Sequence, residues 1–259
     1  MTVSVTELAE EIQRLFAQKN DSEREQVKSI FEQLRTELSA GRVRAAEPDP
    51  SAPTGWKVNT WVKQGILLGF RAGEISVFPS THKNMPYLDK DTLPLKSLDA
   101  KSGIRVVPGG SSIRDGAYIG TGVICMPPMY INIGAYVGND SLIDSHALVG
   151  SCAQVGNRVH VSAAAQIGGV LEPIGALPVI VEDEVLVGGN TGLYEGAVIR
   201  RRAVIAAGTI VTGSTPVYDL PKQELIKAGP GMPTIIPEGA VVVPGARAVT
   251  APEGRKWGL

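Results

Sequence analysis

A chain of 259 residues, 43% apolar and 20% charged, is long enough to bury a core, which excludes disorder as its dominant state. With 25 basic and 26 acidic residues its formal charge is -1, so no global field draws it to nucleic acid or an anionic membrane, and a small molecule or another protein chain is the expected partner. A reduced, cytoplasmic setting is expected: the two cysteines lack zinc or redox spacing, the first residues carry carboxylates where a secretory signal needs a basic start, and no stretch is apolar enough to span a bilayer.

Apolar residues recur at helical spacing near the N-terminus, at Leu8, Ile12, Leu15 and Phe16, then at Ile30, Phe31, Leu34 and Leu38. This spacing predicts two amphipathic helices. Ala45 to Gly55, with three prolines and no period, reads as a linker, and a third helix is expected from Asn59 to about Arg71. Between residues 72 and 103, Pro79, Pro86 and Pro94 break the apolar pieces, so irregular backbone with one strand is expected.

From residue 113 a period of six takes over. Ile113, Ile119, Cys125, Ile131, Val137, Ile143, Val149, Val155, Val161 and Ile167 follow one another at that spacing, and after an interruption Val181, Val187, Leu193, Ile199, Ile205 and Val211 resume it. Sixteen apolar residues in a row has a chance of about one in a million per frame in such a composition. Small residues such as Ala117, Ala135, Ala153 and Ala197 come four positions after most of them. Six fits neither a helix nor an isolated strand, but it fits a three-sided prism whose flat sides each consume one hexad, with each inward aliphatic stacked on the one eighteen residues later. The predicted organisation is a mostly helical domain over 1–103, a parallel β-helix over 104–220 and a C-terminal coil and tail over 221–259. The ends of such a solenoid need caps, which the flanking segments supply. The interruption at 168–180, GGVLEPIGALPVI, should be a loop thrown out from one corner, where binding commonly resides.

Six strings carry a family resemblance: WKVNTWVKQGILLGFR (56–71), RVVPG (105–109), NIGAYV (132–137), VGSCAQVGNRVHVS (149–162), IGGVLEP (167–173) and STPVYDL (214–220). Over roughly residues 56–220 the chain resembles tetrahydrodipicolinate N-succinyltransferases. The resemblance implies a left-handed coil, a homotrimer with active sites in clefts between subunits, and transfer of succinyl from succinyl-CoA to the amino group of ring-opened tetrahydrodipicolinate, on the route to diaminopimelate and lysine. No metal or resident cofactor is implied. The chain departs from the common pattern at Asn190, where many members carry arginine and where it is similar to related N-acetyltransferases. It departs again at His146, often tryptophan, and at its end, GRKWGL, where the family usually continues with a further strand and helix.

Amide formation from a thioester needs a neutral amine, an acceptor for its proton and donors to hold the oxyanion. The resemblance places the family's two functional acids at Asp144 and Glu195. Glu195 is the expected general base or acyl-transfer acid, and Asp144 is expected to bind the substrate amine and assist proton movement. A dicarboxylate substrate calls for guanidinium groups, which grip a carboxylate through two parallel hydrogen bonds. Arg105 in RVVPG matches the family's substrate-binding arginine, Arg114 is a second candidate, and Ser151 is a further donor. For the coenzyme A arm, small residues that allow close approach are Gly188, Gly189, Ala206, Ala207, Gly208 and Ser214.

Three other readings stay open. His160 is an alternative base. A zinc carbonic anhydrase on the same solenoid needs three converging histidines, but His146 and His160 are fourteen residues apart rather than the eighteen that stacks, and His82 precedes the repeats. A structural solenoid is the non-enzymatic alternative.

Overall fold

The computed structural model describes residues 4–18, 23–80 and 84–259. From Arg105 onward the chain winds into a three-sided prism in which a two-residue strand alternates with a four-residue corner. The second strand residue of each hexad points inward, and all sixteen periodic residues named above are at most 6% exposed. Burying a branched aliphatic is worth about 1.5–3 kcal/mol, so the column of stacked side chains is the main source of stability. The last corner residue, Ala135 or Ala153 for example, also points inward and is small enough to turn the chain without crowding the column.

Register follows the period: Val137 pairs in parallel with Ile119 below and Val155 above, eighteen residues each way. Most corners place their third residue in the left-handed region, as at His146, Cys152, Arg158 and Asn190. The amide of that residue donates to the carbonyl of the second corner residue one coil below, as Ala164 does to Ser145 and Gly208 to Gly189, which offsets the strain.

The first face of the prism carries the strands from Ser112–Ile113 to Ile210–Val211, the second those from Tyr118–Ile119 to Ile235–Ile236, and the third those from Arg105–Val106 to Val241–Val242. The coil extends beyond residue 220, because Ile235–Ile236 and Val241–Val242 add strands above Val198–Ile199 and Val204–Ile205. The period breaks twice. Ile167 to Val181 takes fourteen residues instead of six, and residues 212–234 leave the prism as a small hairpin, Val217–Asp219 with Glu224–Ile226. The bond from Thr234 Oγ1 to the Thr212 carbonyl closes the base of this second excursion.

Three helices precede the prism: α1 (Val5–Ala17), α2 (Arg24–Ser39) and α3 (Thr60–Ala72). Ser4 and Glu7 form a capping box at the start of α1. Gly65 and Gly69 let α3 lie flush against α1 and α2: a Cβ on Gly69 would stand 2.4 Å from the Phe31 ring. The opposite side of α3 meets the edge between the first and second faces, where Ile133 and Cys152 join the helical core. The domain also covers the second face, with Arg44 3.7 Å above the Tyr136 ring and hydrogen-bonded to Gln154, and with Ala46 and Trp56 on Ile180 and Val198.

Two sequence expectations need correction here. The expected linker contains a strand, Ala46–Pro48, paired antiparallel with Trp56–Val58. The turn between them is closed by the Asp49 amide on the Gly55 carbonyl and by the Asp49 side chain accepting from Ser51. Residues 72–103 hold an antiparallel pair, Ile75–Phe78 with Tyr87–Lys90, where irregular backbone with one strand is expected from the sequence. The prolines flank these strands instead of interrupting them. No helix among the described residues is long and apolar enough to cross a membrane.

Candidate active site

The candidate residues fall on two different edges of the prism. On the edge between the third and first faces, Asp144 opens the corner 144–147, and the corners stacked above it bring Gly188, Gly189, Ala206, Ala207 and Gly208 into one strip without large side chains. The strip is tightly stacked, for a Cβ on Gly188 would meet the Ala207 amide nitrogen at 2.4 Å. Asp144 Oδ1 accepts from the Ser145 amide. Its other oxygen lies 4.0 Å from His160 Nε2, too far for a hydrogen bond, and that nitrogen is enclosed without a partner. His160 faces outward from the third face one coil above Leu142, so its neighbourhood with Asp144 comes from stacking. Arg105 begins the same face, exposed, and among the described residues no hydrogen bond or ion pair holds its guanidinium.

The edge between the first and second faces holds Glu195. Both excursions from the period leave from this edge, on the coils directly below and above the Glu195 corner. Glu195 has φ 53° and is followed by Gly196 at φ 72°. Among the second residues of the regular four-residue corners it alone has positive φ, a conformation that costs a non-glycine residue about 1 kcal/mol or more. Two contacts hold it: Oε2 accepts from the Gly213 amide at 2.7 Å, and the Leu177 carbonyl lies directly against Gly196. Ser151 is on this edge too, its carbonyl accepting from Val170 at the start of the lower excursion.

Ser214 stands apart from the other coenzyme candidates. It bonds to Thr212 beside the Gly213 that holds Glu195, on the opposite side of the first face from the small-residue strip. Arg114, on the Glu195 edge, is committed within the chain: it donates to the Leu93 carbonyl, to Tyr130 Oη and to Asp89, tying the Tyr87–Lys90 strand to the prism. That leaves no free guanidinium edge for a carboxylate fork. Both thiols are buried and their pKa is pushed up to about 12, so neither is a nucleophile. Among the described residues no three His, Cys, Asp or Glu side chains are grouped to hold a metal ion, and His82 lies outside the described residues.

One polar residue escaped the sequence reading. Lys63, within the motif at 56–71, is completely buried on α3, and its Nζ donates to the Ala176 carbonyl in the lower excursion. Its signal was positional: it stands beside Val62 and ahead of Gly65 and Ile66 on a helix buried on nearly every side.

The three-sided coil, its hexads and its helical cap define a left-handed parallel β-helix of the hexapeptide-repeat transferase class. Residues 7–72 match the N-terminal model of tetrahydrodipicolinate N-succinyltransferase, and residues 178–213 match the hexapeptide repeat of succinyl-transferases. Over 227 residues the chain is 38% identical to a 2,3,4,5-tetrahydropyridine-2,6-dicarboxylate N-succinyltransferase of Nitrobacter winogradskyi, covering 86% of this chain and 77% of that protein. The protein of the same name from Idiomarina loihiensis is 36% identical over 233 residues, 88% of this chain and 78% of that one. A solved structure described as a tetrahydropyridine-2-carboxylate N-succinyltransferase of Campylobacter jejuni shares the fold with a TM-score of 0.51 at 17% identity, over 79% of this chain and 57% of that one. The chain belongs to the tetrahydrodipicolinate N-succinyltransferase family.

Proposed function

We propose that the protein moves the succinyl group of succinyl-CoA onto the amino group of ring-opened tetrahydrodipicolinate, for diaminopimelate and lysine synthesis in the cytoplasm, and that it does so as a homotrimer whose sites form between copies. The observation that carries this reading is the separation of the two acids. Asp144 and Glu195 stand on different edges of the prism, one whole face apart, with Glu195 two coils above the Ser151 corner, so within one chain the acids are on the order of 20 Å apart. One amine cannot touch both, since proton transfer needs about 3 Å. Copies packed edge to edge bring the Asp144 edge of one against the Glu195 edge of the next. The outward row of the third face, with Leu186 41% and Val241 70% exposed, supplies apolar surface for that contact.

In this site Asp144 orients the substrate ammonium and assists its deprotonation. The amine attacks the thioester carbonyl, the C–N bond forms, the C–S bond breaks, and coenzyme A leaves as the thiol. Glu195 accepts the proton the attacking amine loses and returns it to the departing sulfur, its carboxylate fixed by the Gly213 amide. Arg105, exposed and without a partner among the described residues, grips a substrate carboxylate. The strip from Gly188 to Gly208 accommodates the pantetheine arm. Asn190, the third residue of one of these corners, favours testing acetyl-CoA as a second donor.

Thiol release with each donor tests the chemistry, and mixed trimers test the assembly. Asp144→Asn and Glu195→Gln chains should each lose about a hundred- to ten-thousand-fold in turnover. Mixed at equal amounts and reassembled, random trimers pair an intact Asp144 with an intact Glu195 in about a quarter of the sites, and that share of activity should return. A mixture as inactive as its parts would overturn the shared site.

A further inference from the structure

We infer that Lys63 is a positioning residue for Glu195, acting through the Ala176–Leu177 segment of the lower excursion; this rests on the reading of Glu195 as the acid of acyl transfer. Lys63 is 0% exposed and, among the described residues, faces no carboxylate. An ammonium has three donors, and among the described residues a single acceptor, the Ala176 carbonyl, takes one of them at 2.5 Å. Burial holds the group below the ordinary lysine value, so its retention is a cost to the fold. A methionine would fill the same slot with no such cost. The bond therefore calls for a purpose beyond stability, and its geometry supplies one.

The excursion leaves the prism at Gly168 and returns at Ile180, and on the way Leu171 packs against the helical core. Its far limb is held by Lys63 at Ala176, whose own amide closes a turn on Pro173. The next residue, Leu177, packs beside Ala46, Ile180 and Val198 and places its carbonyl against Gly196, so closely that a Cβ there would stand 2.5 Å away. Gly196 follows Glu195, and the two consecutive left-handed residues are what aim the carboxylate at the Gly213 amide. The path runs from the ammonium on α3, through two residues of loop, to the one regular corner of the prism whose second residue is left-handed. It also explains why the helical domain contacts this edge of the prism.

The test compares Lys63→Met with Gly196→Ala, which opens the same path from its other end. For Lys63→Met, kcat should fall about ten- to a hundredfold, as expected when a reacting group shifts by about an ångström, with KM for both substrates within about twofold. The melting temperature should hold or rise, and amides of 168–180 should exchange faster. Gly196→Ala should give the same split between kcat and KM. The double variant should be no slower than the slower single, because the second change breaks a path already broken. Should Lys63→Met fail to fold, Gly196→Ala with normal kcat and a freed loop overturns the inference, and with reduced kcat and unchanged KM it supports it. Normal kcat in a folded Lys63→Met, or losses that simply multiply in the double variant, also overturns it. A wild-type enzyme that releases no thiol from either donor would instead remove the acyl-transfer reading, and this inference with it.

Discussion

The prism and the helical domain bury the same kinds of aliphatic side chain but secure them differently. In the prism each coil is held by its neighbours through stacked aliphatics and coil-to-coil backbone bonds, and polar ladders such as Thr121 to Asn139, Asn139 to Asn157 and Asn157 to Asp183 run along one edge. The helical domain depends on close approach at Gly65 and Gly69 and on ion pairs at its rim, among them Glu37 with Arg42 and Asp91 with Lys28. A repeat spreads its stability along a column, while an irregular packing concentrates it in a few contacts. The strained corner and the excursions sit where the two meet.

The sharpest way to break this contrast is a charge in the column. Val161 is fully buried among apolar neighbours, and Val161→Asp would leave a carboxylate with no partner at a cost of about 4 kcal/mol or more. The expected outcome is insoluble chain or loss of the sheet signal in circular dichroism. Soluble chain with a normal melting curve would show that the column does not carry the fold.

A smaller and more local effect is expected from Gly69→Val. Its side chain would collide with the Phe31 ring, at about 1–3 kcal/mol of overpacking against a helix-propensity gain of about half a kcal/mol. Trp56 and Trp61 report this domain, so their fluorescence in a urea titration should shift to lower denaturant while the sheet signal holds its midpoint. Both signals moving together would mean that the two regions unfold as one unit.

The same contrast governs what could be read from the residues. Periodicity made the prism legible to the residue, since each hexad aliphatic had to be interior, and the lower excursion showed itself as a break in the count. The second break, after Val211, was just as countable, and with the first it brackets Glu195 on one edge. Arg114 was misleading because two of its partners, Asp89 and Leu93, come from a segment without any period. Lys63 was hidden for a related reason: a lysine between Val62 and Gln64 reads as a solvated charge until a loop from 113 residues away is seen over it. Glu195 could be named from a motif, but its backbone conformation depends on contacts from Leu177 and Gly213 that no local pattern encodes.

Acid should separate the two regions by the least. Six carboxylates outside the prism, Glu7, Glu11, Glu37, Asp49, Asp89 and Asp91, are held below their ordinary values, against Glu184 alone within it among the described residues. The causes are local: the Ser4 amide for Glu7, hydrogen bonds from Arg14, Arg42 and Lys28 for Glu11, Glu37 and Asp91, and Ser51 for Asp49. At Asp89 burial opposes the shift, but Arg114 and the Lys90 amide prevail. A carboxylate whose folded value lies below its unfolded value stabilises fully above the unfolded value, about 4, and loses that contribution as the pH falls through the folded one. Helical ellipticity should therefore fade at a higher pH than the sheet signal on titration below about pH 4. Most of these pairs are exposed, so the gap should be narrow and should shrink further in about 1 M salt, where screening acts within about 3 Å. A sheet signal lost before the helical one would reverse the assignment of which region leans on its charges.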